Sequence, residues 1–177
     1  MIPTESFNLV ITFKGHKTPE AGEELMGIEE IELALQEDKN LFDVKETEFQ
    51  NVVLLESGSD ATQISQKLRD APSTVISKIV PIEIVVRTRP ELITEKVISL
   101  ARDKIKSGET FVVRGDLRGR EHIKSKEHLL TSITQEITEN LGVEIDTNDP
   151  DWVVQIEVIG ENTGLSVLKP ENIIKKI

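Results

Sequence analysis

The spacing of apolar positions in the first half of the chain predicts alternating strands and helices. Ser6–Phe13 has the composition of a strand, and from Glu20 onward the apolar residues step by three and four, which is the helical period. Two short β-type runs follow, at Leu41–Lys45 and Phe49–Glu56, and then a second helix with Ala61, Ile64 and Leu68 on one face. Thr74–Val86 is rich in Val and Ile and completes the order β-α-β-β-α-β, with Pro81 marking an edge, a bulge or a break. This order predicts a ferredoxin-like domain over residues 1–86, with a four-stranded antiparallel sheet covered by two helices.

The second half of the chain predicts an α-β-α-β-β unit over residues 87–177. One helix begins at Pro90 and stops before Gly108, and another begins after Ser125 and ends at Gly142. Three further segments have strand patterns: Thr110–Val113, Trp152–Ile159 and Leu165–Leu168. The tail from Lys169 to Ile177 is predicted to be a last helical turn. The predicted fold class is therefore α+β, with two domains joined at Arg87–Arg89.

Charge singles out one segment of the second unit. Residues 114–126 carry five cations against Asp116 and Glu121, although the chain has a formal net charge of −11. Residues 1–75 hold 6 Lys and Arg against 15 Asp and Glu, whereas residues 76–177 hold 15 against 17. We therefore expect any contact with nucleic acid to lie in the second half. A solvated loop without function is the alternative for the cations, which are Arg114, Arg118, Arg120, Lys124 and Lys126.

The sequence offers no catalytic set. Cysteine is absent, and the three histidines do not have the spacing of a metal site, so we predict neither a metal nor a cofactor. Glu56–Asp60 lacks the second glycine of a pyrophosphatase phosphate loop and is explained by a helix N-cap. Asp146–Asp151 lacks the glycine and terminal glutamate of a calcium loop, and His122 has no partner nucleophile. Without a signal peptide or an apolar run long enough to span a bilayer, the expectation is a non-catalytic binding protein of the cytoplasm.

The second unit resembles the THUMP domain, a module of enzymes that modify tRNA. The resemblance rests on the α-β-α-β-β order, the Phe111–Arg114 run with its basic, glycine-bearing loop, and the hairpin that begins at Trp152. The runs Phe7–Thr12 and Ala21–Leu25 are similar to the stand-alone, archaeal-type adaptors of the tRNA N4-acetylcytidine acetyltransferase. The resemblance implies that the chain binds the acceptor end of tRNA through its basic surface, and it adds Arg87 and Arg89 as weaker candidates.

Two other functional classes stay open at this point. One is the RNA-binding half of a tRNA thiolation or methyltransferase enzyme, and the other is a protein-interaction module that binds no RNA. On the adaptor hypothesis, the acidic first helix is a candidate docking face for the acetyltransferase, although a plain solvated helix explains its charges equally well. The residues of that face are Glu20, Glu23, Glu24, Glu29, Glu30 and Glu32.

Overall fold

The computed structural model describes residues 3–15, 22–37 and 42–176. Two compact units are present: Phe7–Ile82 with Glu171–Ile177, and Met1–Ser6 with Glu83–Pro170. The elements in chain order are β1 (Leu9–Phe13), α1 (Glu23–Leu35), β2 (Phe42–Glu46), β3 (Val52–Ser57), α2 (Ala61–Asp70), β4 (Ile76–Pro81), β5 (Ile84–Arg87), α3 (Pro90–Lys104), β6 (Thr110–Arg118), α4 (Lys126–Leu141), β7 (Glu144–Ile145), β8 (Trp152–Ile159), β9 (Asn162–Leu168) and β10 (Ile174–Lys175).

The first unit contains the predicted β-α-β-β-α-β order. Its sheet has the strand order β10-β4-β1-β3-β2, and every pairing is antiparallel. The core lies between this sheet and the apolar faces of α1 and α2, and its fully buried members include Leu9, Ile11, Ile31, Leu55 and Ile64. Except for β10, this is the ferredoxin-like arrangement that the hydrophobic pattern predicts.

The second unit contains a mixed sheet with the strand order β5-β9-β8-β6-β7. β6 runs parallel to β8 and β7, whereas β9 is antiparallel to both β8 and β5. Helices α3 and α4 pack on one face through Ile93, Val97, Ile133 and Ile137, which are fully buried. The predicted α+β class is confirmed. The predicted end of α4 is also correct, because Gly142 adopts the left-handed conformation (φ 67°) that terminates helices.

Several element boundaries differ from the predicted ones. The single predicted strand at Thr74–Val86 is two strands in different sheets, since β4 ends at Pro81 and β5 begins at Ile84. The tail is not a helical turn of α type: after a short 3₁₀ turn, Ile174 pairs with Ile79 in the first sheet. The boundaries between the packing units lie after Ser6, Ile82 and Pro170. The domain division into 1–86 and 87–177 stays a prediction. Leu41, the predicted first residue of β2, lies outside the described residues.

One carboxylate of α1 holds the segment that leads into β4. Glu30 accepts hydrogen bonds from the Ser73 hydroxyl at 2.6 Å and from the Thr74 amide and hydroxyl at 3.0 and 2.7 Å. Partial burial raises the pKa of Glu30, but these hydrogen bonds outweigh that effect, and the pKa is lowered from its ordinary value of 4.5. A depressed pKa in the folded state means that ionised Glu30 stabilises the fold. This contribution is complete above the pKa of the unfolded chain and is lost as the pH falls through the folded pKa.

Glu30→Gln is therefore expected to destabilise the first unit by about 1 kcal/mol at neutral pH, because hydrogen bonds to an ionised acceptor are stronger than those to an amide. The difference from wild type should shrink as the pH falls below 4.5. Amide hydrogen exchange in α1 and β4, measured at pH 7 and at acidic pH, tests this. Glu29→Gln, an exposed neighbour, is the control. A Glu30→Gln difference that stays constant into the acid range would contradict the prediction.

Candidate nucleic-acid interface

The sheet of the second unit brings distant basic residues to one end. In the register of the strands, Arg118 pairs with Ile159, Ile159 with Asn162, and Asn162 with Arg87. These four residues form a single row across β6, β8, β9 and β5. Neighbouring strands lie about 4.8 Å apart, so Arg87 and Arg118 are separated by roughly 14 Å of sheet. Because β5, β6 and β8 are parallel to one another, their carboxyl ends all reach this row.

Helices α3 and α4 begin at the same end, since each follows one of these strands. Arg89 is the N-cap residue of α3, Arg120 and Lys124 lie on the connection from β6 into α4, and Lys126 is the first residue of α4. We call Arg87, Arg89, Arg118, Arg120, Lys124 and Lys126 the basic end of the unit. The N-termini of two helices add positive potential there. The α4 terminus is capped by the Ser125 hydroxyl, which accepts from the His128 amide, whereas α3 has no side-chain cap.

Arg118 does not act as a free surface cation. Its guanidinium donates to Glu157 Oε1 at 3.1 Å and lies 3.7 Å from Asp116 Oδ2. The Glu157 side chain is fully buried and that of Arg118 is only 13% exposed. Glu157 Oε2 also accepts a hydrogen bond from the side-chain amide of Gln155 at 2.7 Å. The sequence places Arg118 in a basic loop, but it is the last residue of β6 and its charge is compensated inside the sheet.

The neighbouring strand ends are also engaged in local contacts. Arg87 lies 3.7 Å from the Glu161 carboxylate at the tip of the β8–β9 hairpin. Asn162 exchanges two hydrogen bonds with Thr4, one from the Thr4 amide at 2.9 Å and one to the Thr4 hydroxyl at 2.7 Å. The polar residues of this row, Arg87, Arg118 and Asn162, are therefore engaged in contacts within the fold. The cations available to a ligand lie beyond the row, on the connections to the helices and in the first turn of α4.

Four cations of the basic end remain available. Arg89, Arg120, Lys124 and Lys126 are exposed and form no ion pair with any residue that the structure describes. Glu91, Glu121 and Glu127 are the exposed carboxylates on the same connections and first helical turns. The balance is a modest positive charge, reinforced by the two helix N-termini, at one end of an acidic chain.

Arg114 is separated from this group. It lies four residues before Arg118 on β6, which corresponds to about 13 Å along the strand. Its guanidinium donates to the Thr147 carbonyl oxygen at 3.3 Å. Of the seven candidates from the sequence, the structure thus brings six to one end of the sheet and leaves Arg114 away from them. Glu157, the partner of Arg118, is a residue that reasoning from the sequence missed. The signal that could have found it is a single glutamate within the mostly apolar strand β8.

The acidic face of α1 is mostly committed to the fold. Glu23 is buried, Glu24 accepts from the Asn51 amide at 2.8 Å, and Glu30 holds Ser73 and Thr74 as described above. Glu29 and Glu32 are exposed, and Glu20 lies outside the described residues. The docking face proposed from the sequence is therefore reduced, within the described residues, to two exposed carboxylates.

The segments considered for other chemistry have structural roles. Asp60 caps α2 by accepting from the Thr62 and Gln63 amides, at 2.8 and 3.3 Å. Asp146 accepts from the Asp149 and Asn148 amides, which lower the pKa of its carboxyl group, as expected for a polar turn. Among the described residues, no three His, Asp or Glu side chains are grouped so as to hold a metal ion. No helix in the described part of the chain has both the length and the apolar character needed to cross a membrane.

Known structures share this fold over nearly the whole chain. PH1313 from Pyrococcus horikoshii aligns with 96% of this chain and 55% of its own, with a TM-score of 0.74 and 16% identity. A 4-thiouridine synthetase solved with RNA and bound ATP aligns with 96% of this chain and 42% of its own, with a TM-score of 0.64 and 15% identity. TrmN from Thermus thermophilus aligns with 92% of this chain and 45% of its own, with a TM-score of 0.57 and 18% identity.

At these identities the likeness shows the fold alone, and this chain spans about half the length of each of these proteins. No curated protein matches the chain significantly in sequence. The family model of the THUMP domain, however, matches residues 87–168, which run from the end of β5 to the end of β9. The α3, β6, α4, β8 and β9 elements predicted from the sequence all lie within this match. Residues 87–168 of this chain are therefore a THUMP domain.

Proposed function

We propose that this protein binds tRNA through the basic end of its THUMP domain. The observation that carries the proposal is that Arg89, Arg120, Lys124 and Lys126 are exposed together beside two helix N-termini. Arginine and lysine suit phosphate oxygens, the first through its planar fork and the second as a point charge, and helix N-termini add backbone donors. One of the structures with this fold is a 4-thiouridine synthetase in complex with RNA, which makes RNA the ligand class to test first.

The composition constrains the mode of binding. The whole chain has one Trp, five Phe and no Tyr. Trp152 is engaged structurally, because its indole N–H donates to Glu109 and Lys169 lies 4.1 Å from its ring centroid. Base stacking on aromatic side chains therefore contributes little, and recognition rests on backbone phosphates, on Arg planes and on the shape of folded RNA.

We propose further that the protein has an accessory role, with no catalysis of its own. It presents the acceptor end of tRNA to a modifying enzyme in the cytoplasm. The resemblance to stand-alone adaptors makes cytidine N4-acetylation the first reaction to test, with a tRNA cytidine acetyltransferase as the partner. Such an adaptor accelerates modification by raising the local concentration of tRNA at the enzyme, and it adds no reacting group.

A second candidate function is supported by the comparisons. This chain aligns with only 42% of the 4-thiouridine synthetase. An RNA-binding portion that serves a thiolation or methylation enzyme is therefore the alternative to an acetylation adaptor. Both candidates need the same tRNA interface, and they differ in the reaction that the bound tRNA undergoes.

The first test is equilibrium binding of the purified chain to folded tRNA. We expect tRNA to bind more tightly than duplex DNA of similar length, and removal of the unpaired 3′ end to weaken binding. Affinity should fall as salt rises, with a slope of log Kd against log salt of about 3 for four phosphate contacts. Equal affinity for tRNA and duplex DNA, or an absence of tRNA binding, would contradict the proposal.

The same preparation distinguishes the two candidate reactions. Purified acetyltransferase, acetyl-CoA, ATP and tRNA are incubated with and without the chain. The adaptor role predicts faster acetylation of cytidine when the chain is present. If tRNA binding is observed but the acetylation rate does not change, the acetylation role is rejected and the second candidate is favoured.

A further inference from the structure

The outward face of α1 exposes three large apolar side chains. Leu25 is 67% exposed, Leu33 is 66% exposed and Met26 is 47% exposed. In the part of the chain that the structure describes, the only other large apolar side chain with comparable exposure is Ile145, which lies in the second unit. Exposed apolar groups that cluster on one element mark interaction surfaces more often than scattered ones do.

The geometry of the helix places these side chains in one strip. Leu25, Glu29 and Leu33 follow one another at intervals of four residues, so they lie along one face, and Leu25 and Leu33 are about 12 Å apart along the axis. The opposite face of α1 contains Gly27, Ile31 and Leu35, which are buried. α1 is thus apolar on two sides, and the residues of its own unit that the structure describes cover only one of them. We call Leu25, Met26, Glu29, Glu32 and Leu33 the α1 strip.

The charges on the strip indicate what covers it. Glu29 and Glu32 are exposed and form no ion pair with any described residue. Residues 1–75 carry a net charge of −9, with 6 Lys and Arg against 15 Asp and Glu. An RNA backbone is repelled by such a surface. A second copy of this chain brings the same carboxylates to the contact, and like charges that face each other oppose association.

We propose that the α1 strip is the docking site for a protein partner that presents an amphipathic helix with leucine-type residues flanked by Lys or Arg. The apolar side chains of the partner cover Leu25, Met26 and Leu33, and its cations pair with Glu29 and Glu32. This is the helix-against-helix mode of recognition, in which residues at helical spacing serve as anchors. The inference does not depend on tRNA binding, because the strip and the basic end belong to different packing units.

The probe for the test is a synthetic 18-residue helical peptide of Leu and Lys, with leucines on one face, labelled for fluorescence anisotropy. We expect the wild-type chain to bind it. Leu25→Ser with Leu33→Ser should weaken binding at least tenfold, and Glu29→Lys with Glu32→Lys should do the same. All four side chains are exposed, so these variants should keep the thermal unfolding profile of the wild type. Glu46→Lys with Glu48→Lys is the matched control, because it makes the same charge change on exposed residues of the same unit.

Each outcome decides for or against the proposal. Loss of binding in both strip variants, with the control within twofold of wild type, supports it. An equal loss in the control shows diffuse attraction to an acidic protein and overturns it, as does an absence of binding to wild type. Light scattering on the unliganded chain tests whether a second copy covers the strip. A concentration-dependent dimer that is abolished by Leu25→Ser with Leu33→Ser would assign the strip to that second copy and overturn the proposal. The affinity for tRNA, measured in parallel, should be unchanged in the strip variants. This measurement separates a failure of the docking proposal from a failure of the proposed function.

Discussion

Replacing Arg118 with Ala is expected to destabilise the second unit by about 3–5 kcal/mol, the usual cost of removing one partner of a buried ion pair. The reason is Glu157, whose carboxylate is fully buried and accepts from Arg118 at 3.1 Å. Without the guanidinium, the buried carboxylate of Glu157 loses the cation that compensates it, and its negative charge lies in a strand at the centre of the sheet. Trp152 is the single tryptophan of the chain and lies in β8 of the same unit, so its fluorescence during urea unfolding reports this loss directly.

A double variant separates a buried charge from a simple loss of packing. Arg118→Met with Glu157→Gln removes both charges, retains volume and leaves an oxygen acceptor for Gln155. It should recover most of the stability that Arg118→Ala loses, because neither charge of the pair remains in the sheet. If Arg118→Ala costs less than 1 kcal/mol, or if the double variant is no more stable than the single one, the role assigned to this pair is wrong.

This expectation also changes how Arg118 is used in binding experiments. A loss of RNA affinity in Arg118→Ala combines two effects: the lost contact between Arg118 and RNA, and the unfolding of the domain that holds the other cations. The exposed residues Arg120 and Lys124 form no ion pair with any residue that the structure describes, so their replacement should leave the fold intact. They are therefore the positions at which an effect on binding can be interpreted as an effect of the interface.

The elements that could be predicted from the sequence are those with strong local signals. The periodicities of α3 and α4 extend over four turns, and Ser125 and Gly142 mark the start and the end of α4 with specific cap chemistry. The alternation in the strand that begins at Trp152 was equally clear. Each of these signals depends on residues within one helix or one strand, so no knowledge of distant partners was needed.

Pairings between distant segments could not be predicted in this way. Pro81 marks an edge, a bulge or a break within Thr74–Val86, but it does not show that the two halves join different sheets, because that depends on the partners of each strand. β6 was predicted too short because Gly115 suggests a loop. In the sheet, an ideal Cβ at Gly115 would lie 2.2 Å from the Ile156 carbonyl oxygen, so the close approach of β8 excludes any side chain there. The glycine belongs to a strand for a reason that only the neighbouring strand supplies.

The same distinction applies to the candidate site. Chain proximity grouped Arg114 with Arg118 and the loop cations, whereas the sheet groups residues by strand ends. Arg87 and Arg89 join the group through the register of β5, β9, β8 and β6. Arg114 lies about 13 Å from Arg118 along β6 and stays outside the group. The partner of Arg118 lies 39 residues further along the chain. Composition identified the basic segment, and topology decided which of its members are available to a ligand.

Reversing three charges at the basic end is expected to have the largest effect on function. Arg120→Glu, Lys124→Glu and Lys126→Glu together should weaken tRNA binding about 100-fold, since each change removes a phosphate contact and adds repulsion. The variant should fold normally, because all three side chains are exposed. Glu at position 126 in addition places a negative charge at the N-terminus of α4, where it is favourable. Filter binding at low salt, with Trp152 fluorescence as the check of folding, provides the measurement.

The matched control is a second triple with the same change in net charge. Lys14→Glu, Arg102→Glu and Lys175→Glu are exposed positions outside the basic end, and they alter the total charge equally. If tRNA were attracted only by overall charge, both triples would lose affinity alike. If instead the control triple abolishes binding while the basic-end triple retains it, the RNA lies on another face. The proposed interface requires that only the basic-end variant loses affinity and that its salt slope also falls, by about 0.7–0.9 for each phosphate contact removed. A change in slope of this kind identifies lost phosphate contacts, which a general loss of folded protein does not produce.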